Sequence, residues 1–377
     1  MTNLPELLSD LVAIDSTNPD LVPGAAGEGR IAAFIASWLE RAGLEVQLME
    51  AAPGRPNVVA VARGTGGGKS LLLNGHMDTV SAGKMVDPHK PRMEGGQLYG
   101  RGAYDMKGGL AACMGAIAEA KKRRLRGDVI LTAVVDEEYA SIGTAEIAKR
   151  VRADAAIVAE FTELQLILAH KGFIWFELET EGRAAHGSRP DLGVDAIANM
   201  GRVLVELQQL DQRLRLRPTH PLLGSGSVHA SLIRGGQELS SYPEQCIVSI
   251  ERRSIPGETP EEAEAALEGI LSRQRELDPS FRGSLRRGIV RSPLQTPVEA
   301  DIAQVVQRAA TKVLGHPAPI AGVPFWTDAA LLAAAGIPSL LFGPSGAGAH
   351  AVEEWVDLES VEACARVYLE SAVEFCG

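Results

Sequence analysis

Cysteine is scarce. The 377-residue chain has four, Cys113, Cys246, Cys364 and Cys376, and none stands in CxxC spacing. That argues against a disulfide frame or a cysteine-based structural zinc site, and for reduced thiols in a cytoplasm. Positive charge is also in deficit. The 37 Lys and Arg face 48 Asp and Glu, for a formal net charge of −11. A nucleic-acid binder needs a basic face, so no nucleic acid is expected as a partner. The one basic run, KKRRLRG at 121–127, follows a helical pattern and reads as a helix C-terminus, where cations suit the dipole. No uncharged apolar run approaches the roughly 18 residues of a membrane span. The start, MTNLPELLSDLVAIDSTNP, has early acids in place of a basic n-region and apolar core, so no signal peptide is expected. These absences predict a cytoplasmic protein without a membrane partner. The hydrophobic share of 45% and the chain length suffice for a sizeable core.

The apolar pattern divides the chain by style. Residues 4–15 and 28–42 read as amphipathic helices, and EVQLME, NVVAVARG, SLLLNGHMDTV and DVILTAVVDEE as strands. A helix, KGGLAACMGAIAEAKKRR, separates the last two; DAAIVAE and LQLILAHKG continue the strands. This alternation predicts an α/β sheet with helices on its faces. The style then changes. FIWFELETEG alternates, and a helix at about 193–210, two strands, a helix opening at Thr259-Pro260 and the strand SLRRGIV follow. That order, β-α-β-β-α-β, predicts a compact split βαβ domain. From about 291 the α/β style returns. The expected layout is one discontinuous α/β domain, 1–171 and 291–377, with an α+β domain inserted at 172–290.

RGTGGGKS at 63–70 resembles a phosphate loop but lacks its first glycine, since Arg63 stands there, and a strand follows in place of a helix. It reads as a hairpin turn.

Several polar residues end apolar strands. In NGHMDTV, His76 and Asp78 are two apart and so share a strand face. An imidazole beside an orienting carboxylate suits a metal ligand, though a satisfied polar pair reads the same. Asp105 lies in the glycine-rich GRGAYDMKGG before a helix, as a cap or on an unusual backbone path. Glu138 and Glu160 each close a strand, and His350 sits in the loop GPSGAGAHAVEEW. Parallel sheets place their sites at the carboxyl ends of strands, so these five could meet at one sheet edge. The acids Asp136, Glu137 and Glu138, taken alone, read as a solvated helix start.

Together these motifs resemble the M20 metallopeptidase family, which includes acetylornithine deacetylase, succinyl-diaminopimelate desuccinylase, aminoacylase and carboxypeptidase G-type enzymes. The resemblance rests on GHMDTV, YGRGAYDMKGG, DEEYASIGT, AEFTEL, HKG, AAHGS, GVPFWTDAALLAAAGIP and GAGAH, in order along the chain. It implies a zinc-exopeptidase-like catalytic domain with a mixed sheet, and it makes the insert a lid and dimerisation domain. It implies two zinc ions, with cobalt or manganese as substitutes. Asp105 would bridge them; His76 and Glu160 would complete one site, Glu138 and His350 the other. Asp78 would orient His76, and Glu137 would be the general base. The Asp105–Met106 bond is expected to be cis. In the insert, His186 would be a lid histidine that donates to the substrate carbonyl, often in the partner subunit's site. Arg253 would bind the substrate carboxylate, with its neighbour Arg252 as the competing choice.

Two positions depart from the family pattern. Ser240 stands where Asn is common, and its shorter hydroxyl reaches less far toward the substrate's carboxylate end; His89 stands where an aromatic is usual. The expected activity is amide hydrolysis of an N-acyl amino acid, with a carboxypeptidase or dipeptidase as the alternative. The expected partners are that small substrate, or a short peptide, and a second copy of the chain. Asp136 has no assigned role beyond structure.

Overall fold

The computed structural model describes residues 3–216 and 218–377. The chain forms two compact units. One holds the residues through Leu168 together with Thr296–Ala321 and Thr327–Gly377; the other holds Ala169–Gln295 and Gly322–Trp326.

The first unit is built on a mixed sheet. Its order is Glu45–Ala52, Arg55–Ala62, Val129–Val134, Leu71–His76, Ala155–Val158, Ser339–Leu341 and Leu166–His170. Leu71–His76 runs parallel to both Val129–Val134 and Ala155–Val158, and Ser339–Leu341 is parallel to Ala155–Val158. The strands outside these four join antiparallel. Every residue of Leu71–His76 and Val129–Val134 is buried, because helices cover both faces of the parallel part. That explains why these strands read as continuous apolar runs.

Helix Gly108–Ala120 is buried almost all round and packs against Leu358–Cys376. Its small side chains permit this: a Cβ on Gly109 would stand 1.9 Å from the Ala159 carbonyl oxygen. The helix start is thereby pressed against the strand end that carries Glu160. Leu358–Cys376 is capped by Asp357, whose carboxylate accepts the Ser360 N–H at 2.7 Å.

The glycine-rich loop at 64–69 is not the hairpin turn expected. Arg55–Ala62 and Leu71–His76 are not neighbours; Val129–Val134 lies between them. The loop instead passes close to residues 125–127, with Thr65 N–H and Gly66 N–H donating to the carbonyls of Leu125 and Arg126. A Cβ on Gly68 would meet Gly127 N at 2.4 Å. The glycines serve this close backbone approach.

The second unit is a four-stranded antiparallel sheet in the order Ser227–Gly235, Gln245–Ser254, Gly172–Glu181, Arg282–Arg291. Helices Ala196–Arg215 and Pro260–Leu277 pack Val203, Leu207, Leu267 and Ile270 against Ile174, Phe176, Val248 and Ile250. The strand-and-helix order is the β-α-β-β-α-β read from the pattern. Pro260–Leu277 opens with a capping box between Thr259 and Glu262. Only one sheet face is packed by the helices, so Phe173, Trp175, Glu251 and Arg253 alternate onto the other. Among the described residues no helix is long and apolar enough to cross a membrane.

Candidate metal centre

The four parallel strands end at one edge of the first sheet, and the candidate ligands follow those ends. His76 is the last residue of its strand; Glu138 and Glu160 lie just past Val129–Val134 and Ala155–Val158; His350 lies in the loop beyond Ser339–Leu341. Asp105 arrives from the side, on the irregular turn before helix Gly108–Ala120, and its peptide bond to Met106 is cis.

The five side chains meet. His76 Nε2 lies 3.1 Å from Asp105 Oδ1 and 3.8 Å from Glu160 Oε1. His350 Nε2 lies 3.2 Å from Asp105 Oδ2 and 3.0 Å from Glu138 Oε2. Asp105 therefore touches a histidine with each oxygen. Two groups of three can each close on one ion: His76, Glu137 and Glu160, and His76, Asp105 and Glu138. Glu137 thus stands within ligand reach as well as within reach of a proton beside such an ion.

The electrostatics describe a site short of positive charge. Burial, then the neighbouring Glu160 carboxylate, holds the Glu137 carboxyl well above its ordinary range. Glu160 is raised by burial and by Asp105. Glu138 is pushed up to about 7 by burial and Asp105, against the pull of His350. Burial opposes ionisation of Asp105 too, but hydrogen bonds from His350 and His76 outweigh it and hold it well below the usual range. His350 is raised to about 10 by its bonds to Asp105 and Glu138. Buried like charges disfavour one another's ionisation, and divalent cations would relieve that crowding. The donor set, imidazole nitrogen and carboxylate oxygen without thiolate, fits zinc, cobalt or manganese.

Asp78 does more than the sequence suggested. Its main-chain carbonyl lies 2.9 Å from His76 Nδ1, whereas its carboxylate lies 3.6 Å away. The backbone oxygen thus fixes the ring and leaves Nε2 for a ligand. The carboxylate instead accepts the N–H groups of Glu137 at 3.1 Å and Glu138 at 3.2 Å, and the Asn18 amide at 2.8 Å.

Several supporting residues escaped sequence reasoning. Asp136 sits at a positive φ of 68°. One carboxylate oxygen accepts from Arg55 at 3.0 Å and from Asn18 at 3.0 Å. The other takes the Ala140 N–H at 3.2 Å. Arg55 is in turn paired with buried Glu28. Glu354 accepts the backbone N–H groups of Gly102, Tyr104 and Asp105, each at 3.0 Å, and pairs with Arg101 at 2.6 Å. Asp328 accepts from Thr144 at 2.6 Å and is raised to about 7 by burial. Glu354 stands in HAVEEW beside His350, and Asp328 in the WTDAA motif, so their neighbourhoods were visible. Asn18 and Arg55 carried no such signal.

The remaining candidates lie in the second unit. His186 and Ser240 are neighbours there: Gly187 N–H donates to the Ser240 carbonyl at 2.6 Å, and both side chains are exposed. His186 Nδ1 accepts the Ser188 N–H at 3.2 Å. Arg253 lies on the sheet face opposite the helices. Arg252 is buried and spent, donating to Glu258 at 2.8 Å and to the Arg253 carbonyl. His89 belongs to the first unit, where its Nε2 lies 3.4 Å from Asp15 Oδ1.

The sequence profile of peptidase family M20/M25/M40 matches residues 72–374. Acetylornithine deacetylase of Myxococcus xanthus is 32% identical, over 98% of this chain and 97% of its own length. Among solved structures, aminopeptidase PepT of Bacillus cereus superposes with a TM-score of 0.81 at 18% identity, covering 99% of this chain and 98% of its own. The YXEP protein of Bacillus subtilis, described as a dinuclear metal binding peptidase, gives 0.75 at 17% identity, covering 99% and 97%.

Proposed function

From the premise that this chain belongs to peptidase family M20/M25/M40 and is a hydrolase of that family, we propose that it cleaves the amide bond of an N-acyl amino acid with two divalent metal ions, zinc in the first instance and cobalt or manganese as substitutes. The observation that carries this reading is the meeting of His76, Asp105, Glu138, Glu160 and His350 around Glu137 at the carboxyl ends of four parallel strands. The similarity to acetylornithine deacetylase favours an acylated amino acid as substrate, and the dinuclear centre described for YXEP favours two ions.

In this reading His76, Asp105, Glu138, Glu160 and His350 would hold the two ions, with His76 and Glu160 toward one, Glu138 and His350 toward the other, and Asp105 shared. When bound, such ions polarise the amide carbonyl and lower the pKa of water. Glu137 takes the proton of the attacking water and delivers it to the leaving nitrogen. Asp78 keeps Glu137 and Glu138 in place through their N–H groups.

His186 has the right tautomer for a donor. Its Nδ1 accepts a backbone N–H, so the neutral ring carries its proton on Nε2. That N–H donates a hydrogen bond to the substrate carbonyl oxygen, in the partner's site of a homodimer joined through the inserted unit. Arg253 binds the substrate carboxylate, and Ser240 lies toward that end of the substrate. The protein works in the cytoplasm.

A second reading is hydrolysis of a short peptide as a carboxypeptidase or dipeptidase, since proteins of both descriptions share this fold. Steady-state assays with N-acetyl- and N-succinyl-amino acids against dipeptides, each with zinc, cobalt or manganese, separate the two. If no amide is cleaved and Glu137→Ala changes nothing, both are wrong.

A further inference from the structure

The sheet face of the second unit that the helices leave uncovered carries a closed ring of four side chains. Glu251 pairs across the strands with Trp175, and Arg253 with Phe173. Arg253 Nε donates to Glu251 Oε1 at 2.7 Å. The other oxygen of Glu251 accepts the Trp175 indole N–H at 3.1 Å. Trp175 stacks on Phe173 with centroids 5.3 Å apart, and the Arg253 guanidinium lies 5.3 Å from the Phe173 ring centre. Each member is thus held by two others.

The ring holds the guanidinium by its Nε edge and one face. Among the described residues, neither terminal nitrogen of Arg253 has a hydrogen-bond or ion-pair partner. Those two nitrogens form the fork that receives a carboxylate through two parallel bonds. Arg252, by contrast, has both terminal nitrogens engaged. The arginine side chain has much rotamer freedom to lose on binding, and a side chain fixed beforehand loses less of it at the moment of contact.

We infer that Glu251 and Trp175 are positioning residues that hold Arg253 with its fork open for the substrate carboxylate. This rests on the reading that Arg253 binds that carboxylate. Trp175 acts through its hydrogen bond to Glu251 and its stacking on Phe173, and it does so without adding charge. Trp175→Phe keeps every charge and the ring stacking but removes the N–H that pins Glu251.

The test compares the N-acetyl-amino acid that the substrate panel ranks first with its C-terminal carboxamide, in the metal-loaded enzyme. Trp175→Phe is expected to raise KM for the carboxylate substrate about fivefold, the scale of one lost hydrogen bond. The turnover number and the KM for the carboxamide should stay unchanged. In an Arg253→Ala background the same substitution should add nothing. A KM for the carboxylate that does not move, or an effect that persists without Arg253, overturns the inference while leaving the carboxylate reading intact. If Arg253→Ala weakens carboxylate and carboxamide substrates alike, the carboxylate reading fails and the inference with it.

Discussion

Asp136, Glu137 and Glu138 are consecutive, yet each meets a different environment. Glu138 faces His350, Glu137 faces His76 and Glu160, and Asp136 turns back into the protein toward Arg55 and Asn18. The positive φ of Asp136 makes this possible by bending the chain out of the strand. Glu137→Gln should lower turnover by about 10²–10⁴, the usual contribution of a general base; metal analysis should show its ion content unchanged. Asp136→Ala should destabilise the metal-free protein by about 3 kcal/mol in urea denaturation, because it strips one partner from a buried arginine. Asp328 offers a pH test. Its folded pKa is raised to about 7 from an ordinary 3.8, first by burial. The folded state therefore binds its proton more tightly than the unfolded state. That contribution is full below about pH 4 and is lost as pH rises through 7. The metal-free protein should melt at lower temperature at pH 8 than at pH 5, and Asp328→Asn should flatten that fall.

At the scale of elements, the site depends on loops pinned by buried acids. Asp78 holds the turn after Val129–Val134, and Glu354 holds the turn that presents Asp105 by accepting the N–H groups of Gly102, Tyr104 and Asp105. A neutral amide in place of Glu354 would weaken its grip on those N–H groups and on Arg101. Glu354→Gln should weaken metal binding about 10–100-fold, as loss of groups that orient ligands generally does, measured by competition with a chromophoric chelator. These elements were legible to different degrees. The buried strands announced themselves as apolar runs, and the helix at 260–277 by its Thr-Pro start. The loop at 64–69 was misread because a glycine run looks the same in a hairpin and in a close backbone crossing. Only the strand order, with Val129–Val134 between the two neighbours in sequence, separates them.

At the scale of the molecule, metal and assembly are the quantities to measure. Chelator treatment should abolish activity and lower the melting temperature, with both restored by zinc, cobalt or manganese, since a ligand that binds only the folded state stabilises it. If His186 serves the partner's site, inactive Glu137→Ala and His186→Ala chains should recover activity when mixed and allowed to exchange subunits. Separate sites would stay inactive.

The sequence by itself determined the family, and with it the class of hydrolase. His76, Glu138 and Glu160 stood out at strand ends, where a parallel sheet leaves room for polar side chains, and Asp105 and His350 in loops; the resemblance to the M20 family then made all five expected ligands. It could not determine how those residues are held. Asn18, Glu28 and Arg55 lie far from the site along the chain and match no local pattern. Their role exists only once the fold brings a buried donor opposite a buried acceptor. The first acid of the DEE triplet, Asp136, shows the difference: its type was plain from the start, but its partners Arg55 and Asn18, and so its role, were decided by the tertiary structure.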